Sequence, residues 1–189
     1  MAVPAIRTER LELVSFSPAV MRAVLDNDLA AAAEQLGATV PSDLRERLGE
    51  LFLIRLDDID RDASVQPWVA RAMVLTDEQG VRRLVGSVGF HGPPNDDGRV
   101  EVGYHVEPEF RRRGFATEAV RALLDWAWRE HSISRFRASV APTNMASLAV
   151  VGGLGFRQTG RQWDDIDGEE LVFELDRPDA AASPEADRR

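Results

Sequence analysis

The feature that most constrains this chain is a change of period at Pro108. Residues 99–107, RVEVGYHVE, alternate strictly, with Val100, Val102, Tyr104 and Val106 on one side and Glu101, Gly103 and His105 on the other. Period two is the pattern of a β-strand with one buried face. After Pro108 come Arg111-Arg112-Arg113-Gly114, and from 114 to about 130 the period is helical. Phe115, Ala119, Leu123 and Trp126 or Ala127 make the apolar stripe, and Glu118, Arg121, Asp125 and Arg129 make the wet one. Proline cannot donate to a sheet ladder, so it helps end the strand where the turn begins. A helix start has unpaired backbone N–H groups and a partial positive charge. Gly114 adds no side chain there and the arginines add counter-charge, which makes a cradle for a phosphorylated ligand. On these residues alone, the alternative is a basic helix start with solvated arginines.

The flanking sequence supplies the rest of a domain. Residues 6–14 read as a first strand, Ser17-Pro18 as a helix start, 28–36 as a second helix ending at Gly37. A third helix begins near Ser42 and lines up Leu44, Leu48, Leu51, Phe52 and Leu56. Residues 68–76 and 82–91 read as strands around the turn Asp77–Gly80, and 92–98 as a loop. Residues 135–141 read as a strand and 144–154 as a short helix stopped by Gly155. The pair Gly152-Gly153 loosens that helix, either bringing backbone close to a ligand or ending the helix early. Strands at 156–163 and 169–175 flank the hairpin turn Asp167-Gly168. The expected architecture is α/β: one mixed sheet with helices on both faces. Residues 1–176 are expected to be a single domain, and 177–189, rich in Ala, Asp and Pro, a disordered tail.

Composition removes several classes of function. The 189 residues carry 23 basic and 32 acidic side chains, a net charge of −9, with one short basic run. Nucleic acid is therefore not an expected partner. No apolar run approaches the roughly 18 residues of a membrane span, and the N-terminus shows no secretory leader. With no cysteine there is no disulfide, thiolate metal site or thiol nucleophile, which fits a cytoplasmic location. No metal is expected, since the three histidines have no paired ligand spacing.

The stretch VEVGYHVEPEFRRRGFATEAVRALLDWA resembles the cofactor-binding motif of the GNAT superfamily of acetyl-CoA-dependent N-acetyltransferases. The motif's core is Gln or Arg, two residues, Gly, one residue, then Gly or Ala; Arg111, Gly114 and Ala116 match. The later stretch APTNMASLAVVGGLGF is similar to a second pattern of that superfamily, through Asn144, Ser147, Gly155 and Phe156. RTERLELVSF and LVGSVGFHG resemble the branch that contains the Rim-type ribosomal-protein N-terminal acetyltransferases. The similarity spans about residues 6–175.

The resemblance implies acetyl-CoA as acyl donor and a primary amine as acceptor, a peptide N-terminus or a small amine, with a homodimer left open. It implies a central twisted mixed sheet with helices on both faces. It places the pyrophosphate against Arg111, Arg112, Arg113, Gly114, Phe115, Ala116 and Thr117. The pantetheine arm would lie along Tyr104, His105 and Val106, with a backbone N–H near Val106 polarising the thioester carbonyl. Asn144 would hydrogen-bond that arm, and as a helix cap it has a structural role open to it as well. Glu101 resembles the carboxylate that some members use as general base. It reads equally as a strand glutamate in an ion pair. Many members have a tyrosine acid after the second pattern; here the single tyrosine is upstream, which leaves Ser147 or solvent to protonate the thiolate. His91 and His105 are lesser proton-shuttle candidates. The rival reading is a non-catalytic acyl-CoA-binding or sensor module on the same fold.

Overall fold

The computed structural model describes residues 3–165 and 168–177. The strands are β1 Ile6–Arg7, β2 Leu11–Ser15, β3 Arg71–Thr76, β4 Arg82–Phe90, β5 Arg99–Val106, β6 Arg135–Val140, β7 Arg157–Asp164 and β8 Gly168–Asp176. They form one sheet in the order β1-β2-β3-β4-β5-β6-β8-β7. Only β5 and β6 pair in parallel; the other neighbours are antiparallel. The helices are α1 Pro18–Leu25, α2 Leu29–Leu36, α3 Leu44–Arg61, α4 Phe115–His131 and α5 Met145–Gly153.

Local chemistry sets the helix ends. The Ser17 hydroxyl accepts from the Val20 N–H at 3.2 Å with Pro18 in the first turn, and Asp28 accepts from the Ala31 N–H at 3.0 Å. α2 stops at Gly37, whose φ of +67° suits a residue without a Cβ.

The sheet separates two cores. On one face α1–α3 bury Phe16, Met21, Leu44 and Phe52 against Ala72, Val74 and Leu84, with Phe16 and Phe52 edge-on at 4.9 Å. On the other, α4 and α5 bury Leu123, Leu124 and Val151 against Leu13, Met73, Val85, Val100, Val102 and Phe136. The alternation of Ala72, Met73 and Val74 between cores is the period of a strand buried on both sides. Sheet residues in the first core come from β2–β4 and their flanks, so the face of β5, β6 and β8 that carries Glu101 and Ser139 stays partly open.

Four sequence expectations change. Residues 6–14 are two strands, folded back at Thr8–Arg10 so that Ile6 pairs with Leu13. β3 starts at Arg71, three residues after the expected Trp68, because 63–65 form a short 3-10 turn and the chain only then enters the sheet. α5 runs through Gly153, so the glycine pair does not end the helix early, and a Cβ on Gly152 or Gly153 would meet no protein atom within 4 Å. Arg177, assigned to the tail, is docked: its N–H donates to the Ser134 carbonyl (2.8 Å) and its guanidinium to Asp125 (2.5 Å). The rest of the expected tail, 178–189, and Asp167 of the expected hairpin turn lie outside the described residues.

Candidate active site

β5 and β6 pair at Arg99–Arg135, Val100–Phe136 and Glu101–Arg137 only. β5 continues to Val106 against β4, so the sheet opens beyond Glu101. Backbone groups along a strand alternate between its two neighbours. The His91 N–H donates to the Glu101 carbonyl (2.8 Å) and the Glu107 N–H to the Val85 carbonyl (3.0 Å), so the odd residues of β5 address β4. Tyr104 and Val106 therefore turn their N–H groups to the opened side. The Val106 carbonyl on that side accepts from Arg111 Nε at 2.9 Å.

At the foot of the opening α4 begins without a side-chain cap. Arg112 (φ +60°) and Gly114 (φ +81°) are left-handed on either side of Arg113, and this alternation of left-handed with ordinary residues suits an anion nest. Phe115, Ala116 and Thr117, in the first turn where backbone N–H groups have no partner within the helix, line the same cleft. The turn is pinned from a distant segment that sequence reasoning did not single out. Arg10 Nε donates to Glu118 at 2.7 Å, the Arg10 N–H to the same carboxylate at 2.9 Å, and Arg10 Nη1 to the Arg113 carbonyl at 2.9 Å. The Thr8 hydroxyl adds a 2.6 Å bond to Glu118. Burial would raise the Glu118 carboxyl, but the bonds from Thr8 and Arg10 outweigh it and hold it below its ordinary value. Glu118 falls on the polar stripe of α4, and only the fold reveals its partners.

α5 forms the far wall. Asn144 caps it, its Oδ1 accepting from the Ser147 N–H at 3.1 Å. The Tyr104 hydroxyl reaches the Ser147 carbonyl at 3.3 Å. Burial raises the Tyr104 phenol, so the hydroxyl keeps its proton. The resulting cleft of ≈ 660 Å³ brings together Tyr104, His105, Val106, Arg111, Arg112, Gly114, Phe115, Ala116, Thr117, Asn144 and Ser147. Arg113 is not among its lining residues; its guanidinium lies over the rings of Phe110 (5.7 Å) and Phe115 (4.9 Å).

Glu101 sits at the fork. Its carboxylate accepts from the Ser139 hydroxyl at 2.6 Å and lies 3.6 Å from Arg137 Nε. Gln162 bridges Ser139 (3.1 Å) and Glu170 (2.8 Å) and accepts from Arg137. A second cleft of ≈ 220 Å³, between α3 and β4–β5, is lined by Arg55, His91, Gly103, Tyr104 and His105 among others. Tyr104 and His105 thus border both clefts. A Cβ on Gly103 would lie 3.0 Å from His91 Nε2, so the glycine is what admits that imidazole. The His105 Nε2 is buried without a hydrogen-bond partner. Burial, then the charges of Arg111 and Arg47, hold its imidazole below the usual range, so the ring is neutral at neutral pH.

A splayed sheet whose free strand edge leads to an uncapped, arginine-rich helix start has a shape and charge that suit an extended, phosphorylated ligand. Residues 10–157 match the family model described as "Acetyltransferase (GNAT) domain", and the chain belongs to that family of N-acetyltransferases. It is similar to the uncharacterized N-acetyltransferase YoaA of Bacillus subtilis (27% identity over 167 residues, 83% of this chain and 85% of that protein). With YjdG of the same organism, identity is 34% over 73 residues, 39% of this chain and 44% of that protein. The match thus spans less than half of YjdG. Among solved structures, an acetyltransferase from Agrobacterium tumefaciens shares 26% identity and a TM-score of 0.61 over 94% of this chain and 96% of that one. The fold is shared with ribosomal-protein-S5-alanine acetyltransferase of Vibrio fischeri (15%, TM-score 0.60, 92% and 96% covered). It is also shared with the microcin C7 self-immunity acetyltransferase MccE, solved with acetyl-CoA and AMP (13%, TM-score 0.62, 89% and 93% covered).

Proposed function

We propose that this protein transfers an acetyl group from acetyl-CoA to a primary amine by direct attack, with no acyl-enzyme. The observation that carries the reading is the continuity of the free N–H edge of β5 with the uncapped start of α4 along one ≈ 660 Å³ cleft. The bound acetyl-CoA of MccE supports the same donor for this chain.

In this reading the backbone from Arg112 to Thr117, with Arg111 beside it, holds the pyrophosphate. The strand edge from Tyr104 to Val106 aligns the pantetheine arm, and the Asn144 amide N–H₂ is left to donate to that arm while its oxygen caps α5. The Val106 N–H polarises the thioester carbonyl. The amine enters from the ≈ 220 Å³ cleft beside His91 and His105. Its nitrogen bonds the carbonyl carbon, the carbon–sulfur bond breaks, and the ammonium proton passes to Glu101, directly or through water. The Ser147 hydroxyl relays a proton to the departing thiolate as it takes one from solvent, and Glu101 releases the amine's proton to solvent, so both side chains end as they began. A second reading for the base is His105, favoured by its unpartnered Nε2 at the junction of the clefts. Residues 1–176 act as one domain in this account, because one sheet carries both cores.

The test is turnover of acetyl-CoA by the full chain against N-terminal peptides, polyamines and small primary amines, read as free thiol and as acetylated product by mass. Product in step with thiol release supports the proposal. Tight acetyl-CoA binding with no product from any amine would favour the acyl-CoA-binding module instead.

A further inference from the structure

At the opposite end of α4 lies a cleft of ≈ 650 Å³ that shares no lining residue with the acetyl-CoA cleft. It is lined by the N-terminal segment Val3–Arg7, by Pro67 and Arg71, and by the last turns of α4 with Trp126, Arg129 and His131. Its notable group is Arg71, whose side chain is fully buried. The guanidinium donates to the carbonyls of Pro4 (3.0 Å) and Pro67 (2.9 Å) and lies 5.0 Å from the Trp126 ring centre. The Nε is buried with no hydrogen-bond partner among the described residues. Burial moves the guanidinium down to about 10, so it stays charged at neutral pH, with no carboxylate among the described residues acting on it.

A buried cation is ordinarily matched by an anion, because carbonyl dipoles and a π face offset only part of its lost hydration. The acids that line the cleft do not supply the match: Asp125 is taken by Arg177 at 2.5 Å, and Glu130 is exposed. Arg129 is exposed on the same wall and adds a second cation. Trp126, Ile6 and Pro4 supply apolar surface beside the charge.

We propose that this cleft is a second binding site, separate from the acetyl-transfer site, for a small carboxylate with an apolar or aromatic body. The carboxylate completes the charge of Arg71 and the body packs on Trp126. The same chemistry has a source within the chain, since residues 178–189 carry Asp179, Glu185 and Asp187, and the test separates the two.

The probe is benzoate, with neutral benzamide as its isostere, followed by thermal melting and calorimetry on the full chain. At about ten times its Kd, benzoate should raise Tm by about 3–6 °C while benzamide leaves it unchanged. Arg71→Met should abolish the response. If that variant does not fold, Arg129→Glu, an exposed change, should weaken benzoate at least about threefold by the charge it reverses. An equal shift with benzamide, a retained response in Arg71→Met, or an unchanged Kd in Arg129→Glu would overturn the proposal. A chain ending at Arg177 identifies the source. Tighter benzoate binding, still dependent on Arg71, makes the acidic tail a competitor; unchanged binding leaves a free carboxylate as the ligand.

Discussion

The Ser139 hydroxyl donates to the Glu101 carboxylate at 2.6 Å, two residues beyond the last pair that joins β6 to β5. With Arg137 at 3.6 Å, this bond holds the proposed base at the fork where the sheet opens. Glu101→Gln keeps an acceptor for Ser139 but removes the charge. Turnover should fall by about 10²–10⁴-fold with acetyl-CoA affinity within about threefold. Steady-state kinetics with a working amine, beside calorimetry for the donor, check both numbers. Normal turnover would move the base assignment to His105.

His105 gives a pH signature in stability. Its folded-state imidazole takes a proton at lower pH than the unfolded chain does. From about pH 6.5 downward the unfolded state therefore binds more protons, and stability is lost as pH falls through the folded value. Denaturant unfolding at pH 8 and pH 5 should show a smaller acid loss in His105→Gln than in the wild type. Glu107, raised by burial against the pull of Arg47, works in the opposite sense, and it is common to both proteins.

Glu118 anchors the turn proposed to hold the pyrophosphate. Glu118→Ala leaves the Arg10 Nε and backbone N–H without their acceptor, while the Thr8 hydroxyl keeps the Leu11 carbonyl, and should cost about 1–3 kcal/mol of stability. It should also weaken acetyl-CoA by more than its effect on overall folding explains, since Arg10 then no longer fixes the Arg113 carbonyl. Melting temperature and donor Kd, measured on the same preparation, check this.

Arg177 sets where the chain can be cut. A chain ending at Arg177 should melt like the full chain. One ending at Asp176 loses the bonds to Ser134 and Asp125 and should lose about 1–2 kcal/mol. Parallel melts of the two decide it.

The elements, including the strand, turn and helix around Pro108, were legible because they rest on local pattern. The alternation of 99–107, the proline, and the helical stripe from Phe115 fix β5, the turn and α4 with no knowledge of their neighbours. Partners distant in sequence were not legible. Arg10 meets Glu118 only because β1 and β2 fold back at Thr8–Arg10, a break that the alternation of 6–14 conceals. An ion pair is one of the two readings the sequence leaves open for Glu101, but its partners, Ser139 and Arg137, depend on β6 lying beside β5. Arg71 falls as one polar residue inside the expected strand 68–76, yet it is fully buried, and nothing in its spacing announces that.

The most direct test of the account is acetyl-CoA binding at Gly114. A side chain there would adopt a φ of +81°, and its Cβ would stand 3.3 Å from Arg10 Nη2, so any substitution carries strain. Gly114→Ala isolates that strain, and Gly114→Glu adds a carboxylate where the pyrophosphate is proposed to lie. Calorimetric titration of acetyl-CoA into the three proteins, each shown folded by its melt, separates the two effects. The account predicts binding by the wild type, weaker binding by Gly114→Ala, and none by Gly114→Glu, because charge-assisted bonds of about 1.5–3 kcal/mol each are replaced by repulsion. Wild-type affinity in a folded Gly114→Glu would contradict it and place the donor elsewhere.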